Sequence, residues 1–102
     1  MTLKAAFMFV APGADHKIHR SVIRTAEVEL TTIGVGNYAM AEEATKDLVA
    51  EGVQAIELCG GFGIAGVAAV KRAAGEQAVV GVVRFDTHPG LGNKSGDDIF
   101  SS

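Results

Sequence analysis

A short apolar run that stops at a cluster of glycines and resumes at once as a helical pattern leaves a chain few ways to fold. Ala55-Ile-Glu-Leu-Cys59 is such a run, Gly60-Gly61-Phe62-Gly63 interrupts it, and Ile64-Ala-Gly66 opens the pattern that follows. The arrangement predicts a central strand of a parallel sheet, a tight loop, and a helix starting on the loop's far side. The other apolar runs can be placed around that unit.

Lys4 to Ala11 is almost continuously apolar, as a strand buried on both faces would be, and Pro12-Gly13 stops it. Asp15 is placed to cap a short helix through Thr25, with Ile18, Val22 and Ile23 on one side and Lys17, Arg20 and Arg24 on the other. Val28 to Val35 is rich in β-branched residues and reads as the second strand, its Glu29, Thr31 and Thr32 suggesting an edge. Asn37 then caps a helix over Tyr38 to Glu51, with Met40, Ala41, Ala44 and Leu48 along one face and Gly52 as its stop. Ala55 to Cys59 is the third strand. The helix after it, about Gly63 to Ala74, leaves only Lys71 and Arg72 for solvent. A helix so apolar needs cover on more than one side, and a second copy of the chain is the simplest partner. Ala78 to Phe85 is the fourth strand, and Asp86 to Ser102 is a turn-rich tail that Ile99 and Phe100 could fasten.

This alternation predicts a small three-layer α/β sandwich with a four-stranded, mainly parallel sheet in a single domain over 1–102. The natural strand order is second, first, third, fourth, as in flavodoxin-like sheets. Whatever the order, all C-terminal strand ends share one rim, where ligands collect. That rim would carry Asp15 and His16, Gly36-Asn37, Cys59 to Gly63, and Asp86 to Gly90.

Composition narrows the classes of partner. Nine Lys and Arg against twelve Asp and Glu give a net charge of −3, without a basic stripe, which argues against nucleic acid. Hydrophobic residues make up 48% and mean hydropathy is +0.27. No run reaches the length of a membrane span, so the excess suits a subunit interface and predicts a homo-oligomer. The N-terminus lacks signal-peptide architecture, and the single Cys59 permits no internal disulfide; a cytoplasmic location is the expectation.

Several residues on the rim could carry chemistry. The helix behind Gly60, Gly61, Phe62 and Gly63 starts without a capping side chain, so its first amides could hold a phosphate or carboxylate. A tight turn whose amides meet water or the tail is the plain alternative. Gly61-x-Gly63-x-x-Gly66, with Asp86 at the end of the next strand, matches the dinucleotide fingerprint. It sits on the third strand in a glycine-rich chain, however, and one half-sized domain is too little for a dinucleotide. No cofactor is assigned. Cys59, at a strand-to-helix junction, is either an activated thiol or a small buried apolar group. Glu57 within a central strand would need a partner, with Arg84 on the neighbouring strand the obvious one; a general base or ligand-holding carboxylate is the other reading. Asp86 and His88 could form an acid/base pair or, with Asp15 or His16, hold a divalent metal. His19 looks like a surface residue.

Glu57-Leu-Cys-Gly-Gly-Phe-Gly63 together with Val82-Val-Arg-Phe-Asp-Thr-His-Pro-Gly-Leu-Gly92 resembles a small bacterial family of uncharacterised domains. The resemblance runs from about Lys4 to Phe100 and implies a stand-alone domain. It transfers no catalytic residue. Two functions therefore stay open: an oligomeric domain binding a small anionic metabolite at the rim, with Asp86, His88, Cys59 or Glu57 as candidate acids, bases or nucleophiles; and a non-enzymatic assembly or regulatory module acting through its apolar third helix.

Overall fold

The computed structural model describes residues 2–101. It is a mixed α/β fold built on one five-stranded sheet: β1 (Leu3–Val10), β2 (Arg20–Arg24), β3 (Val28–Val35), β4 (Ala55–Leu58) and β5 (Val79–Val82). Helix α1 (Tyr38–Ala50) joins β3 to β4, α2 (Ile64–Ala74) joins β4 to β5, and a single helical turn, α3 (Asp97–Phe100), closes the tail. The order across the sheet is β2-β3-β1-β4-β5. β3, β1, β4 and β5 are mutually parallel; β2 alone runs antiparallel, against β3.

The four expected strands keep their expected relative order, and a fifth, where the helix from Asp15 to Thr25 was expected, changes the architecture. Asp15 does cap, but only a turn: its Oδ1 accepts from the Lys17 amide at 2.9 Å. From Arg20 the chain is extended. Thr25 then turns it, its Oγ1 accepting from the amides of Glu27 and Val28 and its own amide donating to the Val28 carbonyl. The β-branched Val22 and Ile23 lie in a segment that ends three residues before the next strand, and they pair with it as a hairpin more readily than they form a three-turn helix. β3 is therefore internal, and its expected edge position is taken by β2.

Losing that helix also removes a layer. The two remaining crossovers both step toward β5, so right-handed connections put α1 and α2 on the same face. The result is two layers. Ala6, Met8 and Val10 of β1, Ile33 and Val35 of β3, and Ile56 and Leu58 of β4 point to the helices, where Ala41, Ala44, Leu48 and Val70 complete the core. The opposite face of the sheet carries no helix.

α1 starts and stops where expected: the Asn37 side chain accepts from the Met40 amide at 2.8 Å, and Gly52 takes a φ of +94° just past the end. β5 is shorter than expected, ending at Val82, although the Val83 amide still bonds the Leu58 carbonyl.

The hairpin makes a test available at single-residue resolution. In an edge antiparallel strand only every second amide faces its neighbour. With Thr25 bonded to Val28 and the His19 carbonyl to Gly34, those residues are Ser21, Ile23 and Thr25. Hydrogen exchange followed by NMR should show these three protected and Val22 and Arg24 exchanging freely; continuous protection from Arg20 to Thr25 would mean a helix after all.

Candidate functional site

The glycine loop after β4 lies on the C-terminal rim, but the chain itself occupies the space above it. Gly63, the N-cap of α2, offers no capping side chain. Asp97 supplies one from the tail: its Oδ1 and Oδ2 lie 3.0 and 3.1 Å from the Ala65 amide. The Tyr38 hydroxyl donates to Asp97 Oδ1 and accepts from the Gly63 amide, both at 2.9 Å. A carboxylate is therefore held at this helix N-terminus, as the dipole favours, and it belongs to the protein.

The glycines are explained by close neighbours of the same network. A Cβ on Gly60 would run into the Phe85 ring, one on Gly63 into Asp97, and one on Gly66 into the Tyr38 ring. Gly61 donates its amide to Cys59 Sγ at 3.3 Å. Phe62 is buried and stacks on Tyr38, centroids 5.7 Å apart, while Phe100 packs against the other side. Of the two residues expected to fasten the tail, Phe100 does so; Ile99 is exposed. Burial pushes the Tyr38 phenol well above its ordinary pKa, and the Asp97 carboxylate adds to the rise while the Gly63 amide opposes it.

The candidate catalytic residues are dispersed. Glu57 needs no buried partner: it stands exposed on the uncovered face of the sheet. The expected Glu57–Arg84 pair is absent, because Arg84 Nε instead meets Asp86 Oδ1 at 2.7 Å on the surface. His88 caps the 3-10 turn Pro89–Leu91, its Nδ1 accepting from the Gly90 amide, and its ring lies against Phe85. Asp86 and His88 share no hydrogen bond or ion pair among the described residues. Cys59 is half-buried beneath its loop. No three His, Cys, Asp or Glu side chains among the described residues converge as a metal would require. An apolar hollow of about 290 Å³ lies between α2 and the end of β5, bounded by Phe62, Ile64, Val67, Val82 and Val83. Arg84 is its one charged lining residue, and that charge is already paired.

The other half of the rim is open. Here the loop after β1 meets the N-terminus of α1 around a cleft of about 340 Å³, lined by Asp15, His16, Lys17, Asn37, Ala39 and Glu43. His19, expected to be idle, fastens the loop, since its Nδ1 accepts from the Asp15 amide at 2.9 Å. With Asp15 and His19 tying the turn, His16 is forced inward and is only 5% exposed. Neither of its ring nitrogens has a hydrogen-bond partner among the described residues, but neither is sealed from solvent; Glu43 Oε1 lies 3.7 Å from Nε2. The Asn37 cap claims the Met40 amide, leaving the Tyr38 and Ala39 amides of the first turn of α1 without partners among the described residues. Lys17 adds a cation to the lining of the cleft, and Asp15 and Glu43 add carboxylates. The sequence placed Asp15, His16 and Asn37 on one rim; the cleft they line with Lys17 and Glu43 is visible only in the fold.

The family model "Family of unknown function (DUF6506)" matches residues 3–98, and the chain belongs to that family. No curated protein matches. No solved structure matches either.

Two measurements test the tail clamp. Asp97→Ala should cost about 1–2 kcal/mol in denaturant unfolding, the usual worth of a lost cap with its charge–dipole term. Asp97→Asn, which keeps an acceptor oxygen, should cost less, and equal losses for both would deny the electrostatic part. Tyr38 is the only tyrosine, so phenolate absorbance reports on it alone. Because its pKa is raised on folding, its contribution to stability is full below pH about 10, the unfolded tyrosine value, and erodes above it. Phenolate absorbance should therefore lag an unfolded control and appear with unfolding; ionisation at the control pH with the fold intact would contradict this.

Proposed function

We propose that the protein binds a small anionic metabolite at the C-terminal rim of its sheet, in the cleft between the β1–β2 loop and the start of α1. The observation that carries this is His16: an imidazole only 5% exposed, with no hydrogen bond to another described residue, whose nitrogens keep their access to solvent at the wall of a polar cleft. A largely buried ring that meets only cleft water is a group a ligand can engage without displacing a protein partner.

Several of the neighbouring groups support an anion. The unclaimed amides of Tyr38 and Ala39, the N-terminal dipole of a 13-residue helix, and Lys17 all favour negative charge. The Glu43 carboxylate, 3.7 Å from the His16 ring, suits a hydroxyl or amine on the same molecule. The cleft volume of about 340 Å³ fits a compound of metabolite size.

The reading is tested by titrating the full chain with inorganic phosphate and with a panel of small phosphorylated and carboxylate metabolites, watching backbone amides by NMR. At least one compound should shift Asn37, Ala39 and Met40 and raise the melting temperature. His16→Ala and Lys17→Ala should each weaken that binding roughly tenfold or more, the loss expected for one charge-assisted contact. Asp97→Asn should leave it unchanged. Silence at Ala39 across the whole panel, or shifts that gather at Gly63 and Ala65 instead, would overturn the assignment.

A further inference from the structure

The sheet face opposite the helices is apolar except for one row that carries Ser21, Thr32 and Glu57. Leu3, Phe7 and Phe9 of β1, Ile23 of β2, Leu30 of β3 and Val79 of β5 all project from it, with Leu3, Ile23 and Val79 exposed at 43%, 58% and 70%. Parallel strands are normally covered on both faces. We propose that two copies of the chain pack through this face, sheet against sheet, about a two-fold axis running along β1.

The register supplies the argument for a second copy as the occupant. Ser21, Thr32, Phe7, Glu57 and Gly81 lie level across the five strands, on the uncovered side. Glu57, Thr32 and Ser21 have no side-chain hydrogen bond or ion pair among the described residues. A two-fold axis along β1 sets Phe7 on Phe7 and exchanges the two sides of the sheet. The Glu57 carboxylate then faces the hydroxyl of Thr32 of the partner subunit, an acceptor over a donor, twice per dimer. The level two residues toward the strand starts reads Ile23, Leu30, Ala5, Ala55, Val79. The same operation lays Ile23 over Val79 of the partner subunit and Leu30 over Ala55 of the partner subunit. The two most exposed apolar side chains of the face thus cover each other, and the row of polar groups meets its own complement.

Size makes the pair a modest one. Strands of 8, 5, 8, 4 and 4 residues, about 4.8 Å apart and about 3.3 Å per residue, span a flat area of roughly 450 Å². Side-chain relief raises this toward the roughly 800 Å² per partner of a standard interface. Stacked twisted sheets cross at about 30°, which an axis along the mean strand direction allows.

The test uses the full chain in analytical ultracentrifugation at micromolar concentration. The expected mass is twice that of one chain, and Phe7→Asp should weaken association roughly 30-fold or more, the loss of a central aromatic anchor. Circular dichroism checks that the variant is folded. Independently, Ala5→Cys in a Cys59→Ser background should give a covalent dimer with a bismaleimide of about 10 Å span, because the axis sets Ala5 against Ala5 of the partner subunit across stacked sheets about 10 Å apart. With one cysteine per chain, no product within a chain can form. A monomeric wild type overturns the proposal. So does a dimer that forms no such cross-link, or one that survives Phe7→Asp and dissolves with Val82→Asp beside α2.

Discussion

Both crossovers in this protein move the same way across the sheet, β3 to β4 through α1 and β4 to β5 through α2. Because parallel crossovers are right-handed, the face taken by each helix follows from the direction of its step, and two steps in one direction give one helical layer. The core follows from this. Every fully buried strand side chain with large volume, Met8, Ile33, Ile56, Leu58 and Val35, is on the helix side. A second layer would require a helix between β1 and β3, and the chain puts a hairpin there.

The rim is divided by the tail. On the β4–β5 side, Asp97 reaches back across 32 residues to cap α2, and Tyr38 joins the cap to α1 through one hydroxyl that both donates and accepts. The ring of Tyr38 lies between Phe62 and Phe100, so the polar clamp and the apolar packing reinforce each other. Gly61 lies against Val10, which brings the loop over the ends of the central strands. What a free phosphate or carboxylate would find on that side is a helix terminus where the Asp97 carboxylate already sits. On the β1–β3 side the cap of α1 is the neutral Asn37, the Tyr38 and Ala39 amides have no partner among the described residues, and a largely buried imidazole lines the same cleft.

Much of this could be read from local pattern. Val28 to Val35 announces its strand through β-branched residues, and Asn37 and Gly52 mark both ends of α1. The segment from Asp15 to Thr25 misleads because Ile18, Val22 and Ile23 fall at helical spacing; the three-residue gap before Val28 is the better signal, and it requires seeing both strands at once. Glu57 misleads for a different reason. A carboxylate in a central parallel strand needs a partner only if both faces of the sheet are covered, and that premise fails once the layer is missing. Asp97 left no local trace, since a cap supplied from the tail has no spacing rule. His16 and Glu43 come together only when the β1–β2 loop folds onto α1.

The two unfilled features of the molecule do not compete. The His16 cleft opens beside α1, on the helix side of the sheet, and its lining includes Ala39, Met40 and Glu43 of that helix. The apolar face looks the other way. Copies packed through it would leave both clefts in solvent, and a ligand bound in either would add its own stabilisation to the folded state in proportion to occupancy. Coupling between them has one structural route. β3 contributes Thr32 to the uncovered face and leads through Gly36 and Asn37 into the first turn of α1, where the free amides lie. Any shift of β3 against β1 on pairing would therefore be felt at the cleft, whereas the Asp97 clamp holds the β4–β5 side fixed.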